Sequence, residues 1–86
     1  MLLKSNNFTV KMLIEKSGRS GKTVTVLNGL PKIEIYLKDL CTELKKKCGS
    51  GGTYLTDQKE GVIEIQGDKR EIIRATLIAK GIKIKG

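Results

Sequence analysis

Gly18, Gly21, Lys22 and Thr23 fall close together in the stretch "SGRSGKT", residues 17 to 23. Glycines followed by Lys and Thr are the ingredients of a loop that cradles nucleotide phosphates on backbone N–H groups and a lysine ammonium. That chemistry has a fixed spacing, G-x-x-x-x-G-K-[ST]. Counting back from Gly21 puts the first glycine at position 16, where this chain has Lys16, and Gly18 comes too late. A nucleotide loop must also open a helix, so that the helix N-terminus faces the phosphates. Here "TVTVLN", residues 23 to 28, follows, and its β-branched alternation reads as a strand. No convincing strand ends in a metal-holding aspartate, and nucleotide hydrolysis is set aside.

The same atoms suit another chemistry. Lys16, Arg19 and Lys22 put three cations into seven residues, while Gly18 and Gly21 let the chain bend without steric cost. A cationic tip of this kind fits the phosphates of a polyanion backbone, each neutralised phosphate releasing counterions. The plainer alternative is a solvated surface turn. A second run, "KKKCGSGGT", offers Lys45, Lys46 and Lys47, either as RNA contacts or as charges matched to the end of a helix. Its glycines suit a turn better than an anion-binding nest. A third, "GDKR", places Lys69 and Arg70 at an exposed helix start.

Catalysis finds little to work with. The chain has no His, and no nucleophile has an obvious activator. Asp68 and Glu71 have the spacing of a capping box. Asp39 and Glu43 sit on a helix within reach of lysines. Cys41 and Cys48 are separated by about 10 Å of helix rise, too far for a disulfide, which needs Cα atoms closer than about 7 Å. Two Cys without His cannot make a four-ligand zinc site. They are expected to be small buried residues in a reducing compartment. No metal, no cofactor and no enzymatic activity is expected.

The whole chain reinforces the cationic reading. Its 86 residues carry 17 Lys plus Arg against 9 Asp plus Glu, a formal net charge of +8. Such a charge raises encounter rates with polyanions, nucleic acid before anionic membrane. The aromatic residues are only Phe8, Tyr36 and Tyr54, too few for a sheet that stacks bases, so contacts are expected to phosphates, sugars and groove shape. No apolar run is long enough to span a membrane, and "MLLK" is too short for a signal peptide. A cytoplasmic location is expected.

The elements that must position these residues follow from periodicity. Phe8, Val10, Met12 and Ile14 share one face of a first strand, whose other face, with Lys11 and Glu15, is more polar. Residues 23 to 28 form a second strand, with Val24 and Val26 on one side. Residues 16 to 22 between them read as a hairpin loop longer than usual. Ile33, Leu37, Leu40, Cys41, Leu44 and Cys48 recur at helical spacing, predicting a helix over about residues 33 to 47, with Pro31 near its start and Gly49 at its end. A short strand near 53 to 56 and a clear one at 62 to 66 follow. Asp68 and Glu71 then cap a second helix to about Lys80, burying Ile72, Ile73, Ala75, Leu77 and Ala79 and stopped by Gly81. "IKIK", residues 82 to 85, is a last strand with Ile82 and Ile84 inward. The order β-β-α-β-β-α-β predicts an α/β fold of the α+β two-layer type, two helices packed on one face of a mixed sheet. Residues 1–7 read as a short N-terminal extension and 8–86 as a single domain.

The second half, "ELKKKCGSGGTYL" followed by "GVIEIQGDKREIIRATLIAKGIKIKG", resembles the eukaryotic translation initiation factor one family, also called the Sui family, and especially its short bacterial members. The lysine run, the Gly-Gly-Thr turn, "IQGDKR" and the closing "KGIKIKG" occur in that family's order. The hairpin loop and "VTVLNGL" match its first half more loosely. The resemblance implies a protein that binds small-subunit ribosomal RNA near the P site and modulates start-site selection, with initiator tRNA and mRNA as neighbours. It carries that role onto Lys16, Arg19 and Lys22, with Lys45 to Lys47 and the Lys69–Arg70 pair as further rRNA contacts. Two departures stand out. The long N-terminal tail of eukaryotic members is missing, so their partner contacts are not carried over. Ser50 stands where many prokaryotic relatives carry a cysteine, which argues against a metal or redox role for that loop. A monomer without membrane contact is expected. The rival reading is a general RNA- or DNA-binding module with no ribosomal role.

Overall fold

The computed structural model describes residues 8–17 and 21–85. Seven elements follow one another: β1 (Thr9–Ser17), β2 (Lys22–Leu30), α1 (Glu34–Cys48), β3 (Gly52–Leu55), β4 (Gly61–Gln66), α2 (Arg70–Ala79) and β5 (Lys83–Lys85). The five strands form one sheet in the order β3-β4-β2-β1-β5. Neighbours are antiparallel except β1 and β5, which run parallel. The sheet is therefore mixed, and the order of elements is the one its periodicities predict.

Both helices lie on one face. Leu37, Leu40, Cys41, Leu44 and Cys48 of α1 and Ile73 and Leu77 of α2 join Val10, Met12, Leu27, Ile63 and Ile65 of the sheet in one buried cluster. Register explains the choice of sheet residues. Met12 stands opposite Leu27, and Leu27 opposite Ile63, so all three point to the same side. Val24 and Val26 do share a side, but it is the side away from the helices. The core side of β2 is carried by Thr25 and Leu27, both fully buried.

The hairpin is tighter than its sequence suggests. Pairing continues through Lys16 opposite Thr23 to Ser17 opposite Lys22. Only residues 18–21 are left to connect the strands, an ordinary hairpin length. Nothing in Lys16, Ser17, Lys22 or Thr23 opposes an extended backbone, so the ladder runs on to the turn itself. Residues 1–7 and the tip residues 18–20 lie outside the described residues, and the expected N-terminal extension with them.

Helix α1 begins at Glu34 rather than Ile33. Ile33 is still extended (φ −115°, ψ 112°) and is 44% exposed, because it precedes the turn that first meets the sheet. At the other end Gly49 adopts φ 63°, and its N–H donates to the Lys45 carbonyl at 2.9 Å. This is the left-handed stop that favours glycine.

Helix α2 departs further from expectation. It buries only Ile73 and Leu77; Ile72 is 41% exposed, and Ala75 and Ala79 are also exposed. The helix meets the layer along a narrow stripe, since residues at i and i+4 share a face while i−1 and i+2 turn away. The capping box does not form either. The flanking residue Lys69 makes no side-chain cap bond, and the Asp68 carboxylate takes the Arg70 guanidinium; what remains of the expected cap is one long bond, the Arg70 backbone N–H donating to Asp68 Oδ1 at 3.4 Å. Gly81 ends the helix as expected, and Ile82 is buried with Ile84 half-buried beyond it. Glu43 of α1 reaches Lys80 after α2 at 2.8 Å.

Candidate nucleic-acid interface

The topology gathers one end of every long element. β1 finishes and β2 starts at the hairpin; β4 finishes at Gln66, opposite Val24 near the start of β2. Gly52, at the start of β3, stands opposite Ile65 near the end of β4. Helix α1 ends just before β3, and α2 begins just after β4. Lys16, Lys22, Lys45, Lys46, Lys47, Lys69 and Arg70, those of the cations singled out in the sequence that lie among the described residues, therefore fall at one end of the sandwich, although they come from three separate stretches.

Hydrogen bonds tie this end together. The Gln66 N–H donates to the Gly51 carbonyl at 2.9 Å, fixing the turn after α1 to β4. The Gly67 N–H donates to the Thr23 carbonyl at 2.7 Å, fixing the bend before α2 to β2. Gly67 has φ 92°, a conformation side chains rarely adopt, and a Cβ there would come within 3.2 Å of the Lys69 side chain. Fully buried Thr25 adds two more links. Its Oγ1 donates to the Gly67 carbonyl at 2.7 Å and accepts from the Lys69 N–H at 3.0 Å.

The hairpin lysines present themselves to both sides. Lys16 follows Met12 and Ile14 and sits opposite Thr23, so it continues the helix side of the sheet beyond the helices. Lys22 sits opposite Ser17 and continues the outer side. Both are exposed. Arg19 lies outside the described residues, in the connection between them. A shallow cleft of about 350 Å³, lined by Lys22, Thr23, Val24, Gln66 and Gly67, separates the hairpin base from the bend before α2.

The other cations differ in how free they are. The stem of half-buried Lys45 packs on Gly52, where a Cβ would stand 3.2 Å from its Cγ, while Lys46 and Lys47 are exposed. All three occupy the last turn of α1, where the carbonyl end of the helix dipole offsets part of their charge. Lys69 is half-buried against the Gly67 bend, and close enough to Cys48 to oppose the effect of burial on that thiol. Arg70 is held by Asp68 in a two-pronged pair, and its hydrogen bonds keep the Asp68 carboxyl below the usual carboxylate range.

Other chemistries fare differently. Lys22 and Thr23 are rungs of a hairpin ladder, so they open no helix for a nucleotide. Cys41 and Cys48 are both free and buried, and burial pushes both thiols up. Among the described residues, no cluster of His, Cys, Asp or Glu is placed to hold a metal ion, and no helix is long and apolar enough to cross a membrane.

Two features escaped the sequence. Thr25 carries no signal there, being one more β-branched residue in a strand. Lys11, Lys83 and Lys85 share the outer face of the sheet, Lys11 directly opposite Lys85, which only the parallel β1–β5 pairing reveals.

A five-stranded α+β sandwich with the hairpin lysines, the α1 lysine run and the Lys69–Arg70 pair at one end is the class that fold and site define. A family model described as translation initiation factor SUI1 matches residues 6–83, and the chain belongs to that family. An uncharacterised protein, YciH, of Salmonella typhimurium is 49% identical over 76 residues, which is 88% of this chain and 67% of that protein. YciH of Escherichia coli is 47% identical over the same length. A protein translation factor SUI1 homolog of the archaeon Picrophilus torridus is 44% identical over 82 residues, 93% of this chain and 77% of that protein.

Proposed function

We propose that the protein docks on ribosomal RNA of the small ribosomal subunit through its cationic end and modulates start-site selection, as a binding protein without catalysis. The observation that carries this reading is convergence: Lys16, Lys22, Lys45 to Lys47 and Lys69 come from three sequence stretches to one end of the fold. Phosphate contacts from such a surface give register and affinity without needing base-stacking aromatics. Membership of an initiation factor family makes the small subunit the polyanion to test first. Initiator tRNA and mRNA are the neighbours Arg19 and the hairpin lysines would approach there.

Co-sedimentation with isolated small subunits at moderate salt tests the reading. Binding should survive competition from total RNA and duplex DNA. A folded sample that fails to sediment would end the ribosomal proposal, and equal affinity for duplex DNA would favour a general nucleic-acid binder.

A further inference from the structure

The geometry points to Thr25 as a positioning residue of the cationic end. This inference rests on the proposed docking surface and names what sets its spacing. Thr25 is a fully buried hydroxyl in the core side of β2, and it uses its oxygen twice. As donor it holds the Gly67 carbonyl at 2.7 Å; as acceptor it holds the Lys69 N–H at 3.0 Å. Both partners lie more than forty residues away in the chain, in the bend that launches α2.

The consequence follows from where β2 leads. Two residues before Thr25 is Thr23, whose carbonyl takes the Gly67 N–H, and one further is Lys22 at the hairpin. The bend is thus clamped to the hairpin strand at consecutive points on one edge. Lys69, whose own backbone N–H is in the clamp, is thereby anchored to the strand that carries Lys22 and pairs with the strand carrying Lys16. Two cationic prongs at fixed spacing can contact separate phosphates of one RNA surface without first ordering a loop, and preorganisation of that kind raises affinity by removing the ordering cost. A valine at this position would keep the shape and lose both hydrogen bonds; a serine would keep the hydroxyl.

The experiment compares wild type, Thr25→Val and Thr25→Ser, each with and without Lys69→Ala, in salt titrations of binding to isolated small subunits and to a short RNA duplex. All are measured below their melting temperatures. Wild type and Thr25→Ser should share one salt slope, and Thr25→Val should lose about one unit of it, the share of one phosphate contact. Lys69→Ala should weaken binding roughly five-fold in wild type and leave Thr25→Val unchanged, the non-additivity expected within one network. An unaltered slope in folded Thr25→Val, or equal Lys69→Ala losses in both backgrounds, overturns the inference. Should Thr25→Val not fold, amide exchange in the wild-type chain decides: the Lys69 N–H should be as protected as the sheet core, and exchange at the rate of an uncapped first helical turn overturns it. Binding to the duplex but not to small subunits ends the ribosomal reading while the duplex arm still decides the role of Thr25. Binding to neither overturns both.

Discussion

Arg70 and Asp68 meet side by side, Nε on Oδ1 and Nη2 on Oδ2, each at 2.9 Å. The pair stands at the cationic end yet removes a charge from it. Its guanidinium is one of the cations expected to touch RNA, and it already has a carboxylate in the fork geometry a phosphate would take. Asp68→Asn should therefore strengthen binding to small subunits and add up to about one unit to the salt slope. Glu71→Gln, which removes a negative charge from the same helix end without releasing Arg70, is the control. Equal gains from both variants would mean that general charge, not the freed guanidinium, is responsible.

The same pair has a titration consequence. Hydrogen bonds from Arg70 lower the Asp68 pKa in the folded state. A depressed carboxyl contributes stability above its unfolded value and loses it as pH falls through its folded value. The window is thus acidic, below the usual carboxylate range, and the contribution is small because both side chains are about half exposed, 51% and 48%. A carboxyl-resolved NMR titration should show Asp68 ionising below the ordinary aspartate range. Arg70→Ala should return it to that range.

At the hairpin, replacing Lys16, Arg19 and Lys22 together with Ala should flatten the salt dependence of small-subunit binding by roughly two to three units if all three contact phosphates. Lys16 and Lys22 point to opposite sides of the sheet, so their single substitutions should add independently rather than substitute for one another. A slope equal to wild type in the triple variant would move the docking surface elsewhere, to the outer face with Lys11, Lys83 and Lys85 among the places to look.

How much of this was legible beforehand depends on which side chains had competitors. Helix α1 announced itself because Leu37, Leu40, Cys41 and Leu44 form one stripe between polar residues. Helix α2 did not announce its face, since Ile72, Ile73, Ala75, Leu77, Ile78 and Ala79 are apolar nearly all round, and only packing selects Ile73 and Leu77. On β2, "TVTVLN" is equally acceptable either way up; pairing of Met12 with Leu27 decides. The lysine stretches were visible as charge, but their meeting at one end needs the sheet order. Thr25 became important only when its hydroxyl found partners more than forty residues later.

The α2 interface gives a direct comparison of two adjacent isoleucines. Ile73 is fully buried and Ile72 is 41% exposed. Ile73→Ala should cost about 2–5 kcal/mol, the range for a deleted core side chain with a residual cavity. Ile72→Ala should change stability by less than about 1 kcal/mol. Urea unfolding of the two variants measures both, and similar losses would place α2 on the sheet with a different face.

Ser50 offers a gain rather than a loss. Its Oγ is buried in the turn after α1 with no hydrogen-bond partner among the described residues, although the residue as a whole is half-buried. Leaving a buried hydroxyl unsatisfied costs about 1–3 kcal/mol. Ser50→Ala removes that penalty while keeping the Ser50 N–H bond to the Lys45 carbonyl at 3.3 Å, which belongs to the backbone. The variant should melt higher than wild type by about 4–8 °C if about 1 kcal/mol is recovered in a chain of this size. A lower melting temperature would show that the hydroxyl has a partner, and that Ser50 contributes to the turn through its side chain. Because Ser50→Ala leaves the three lysines and the backbone bonds of this turn in place, the salt slope of the variant should match wild type while its stability rises.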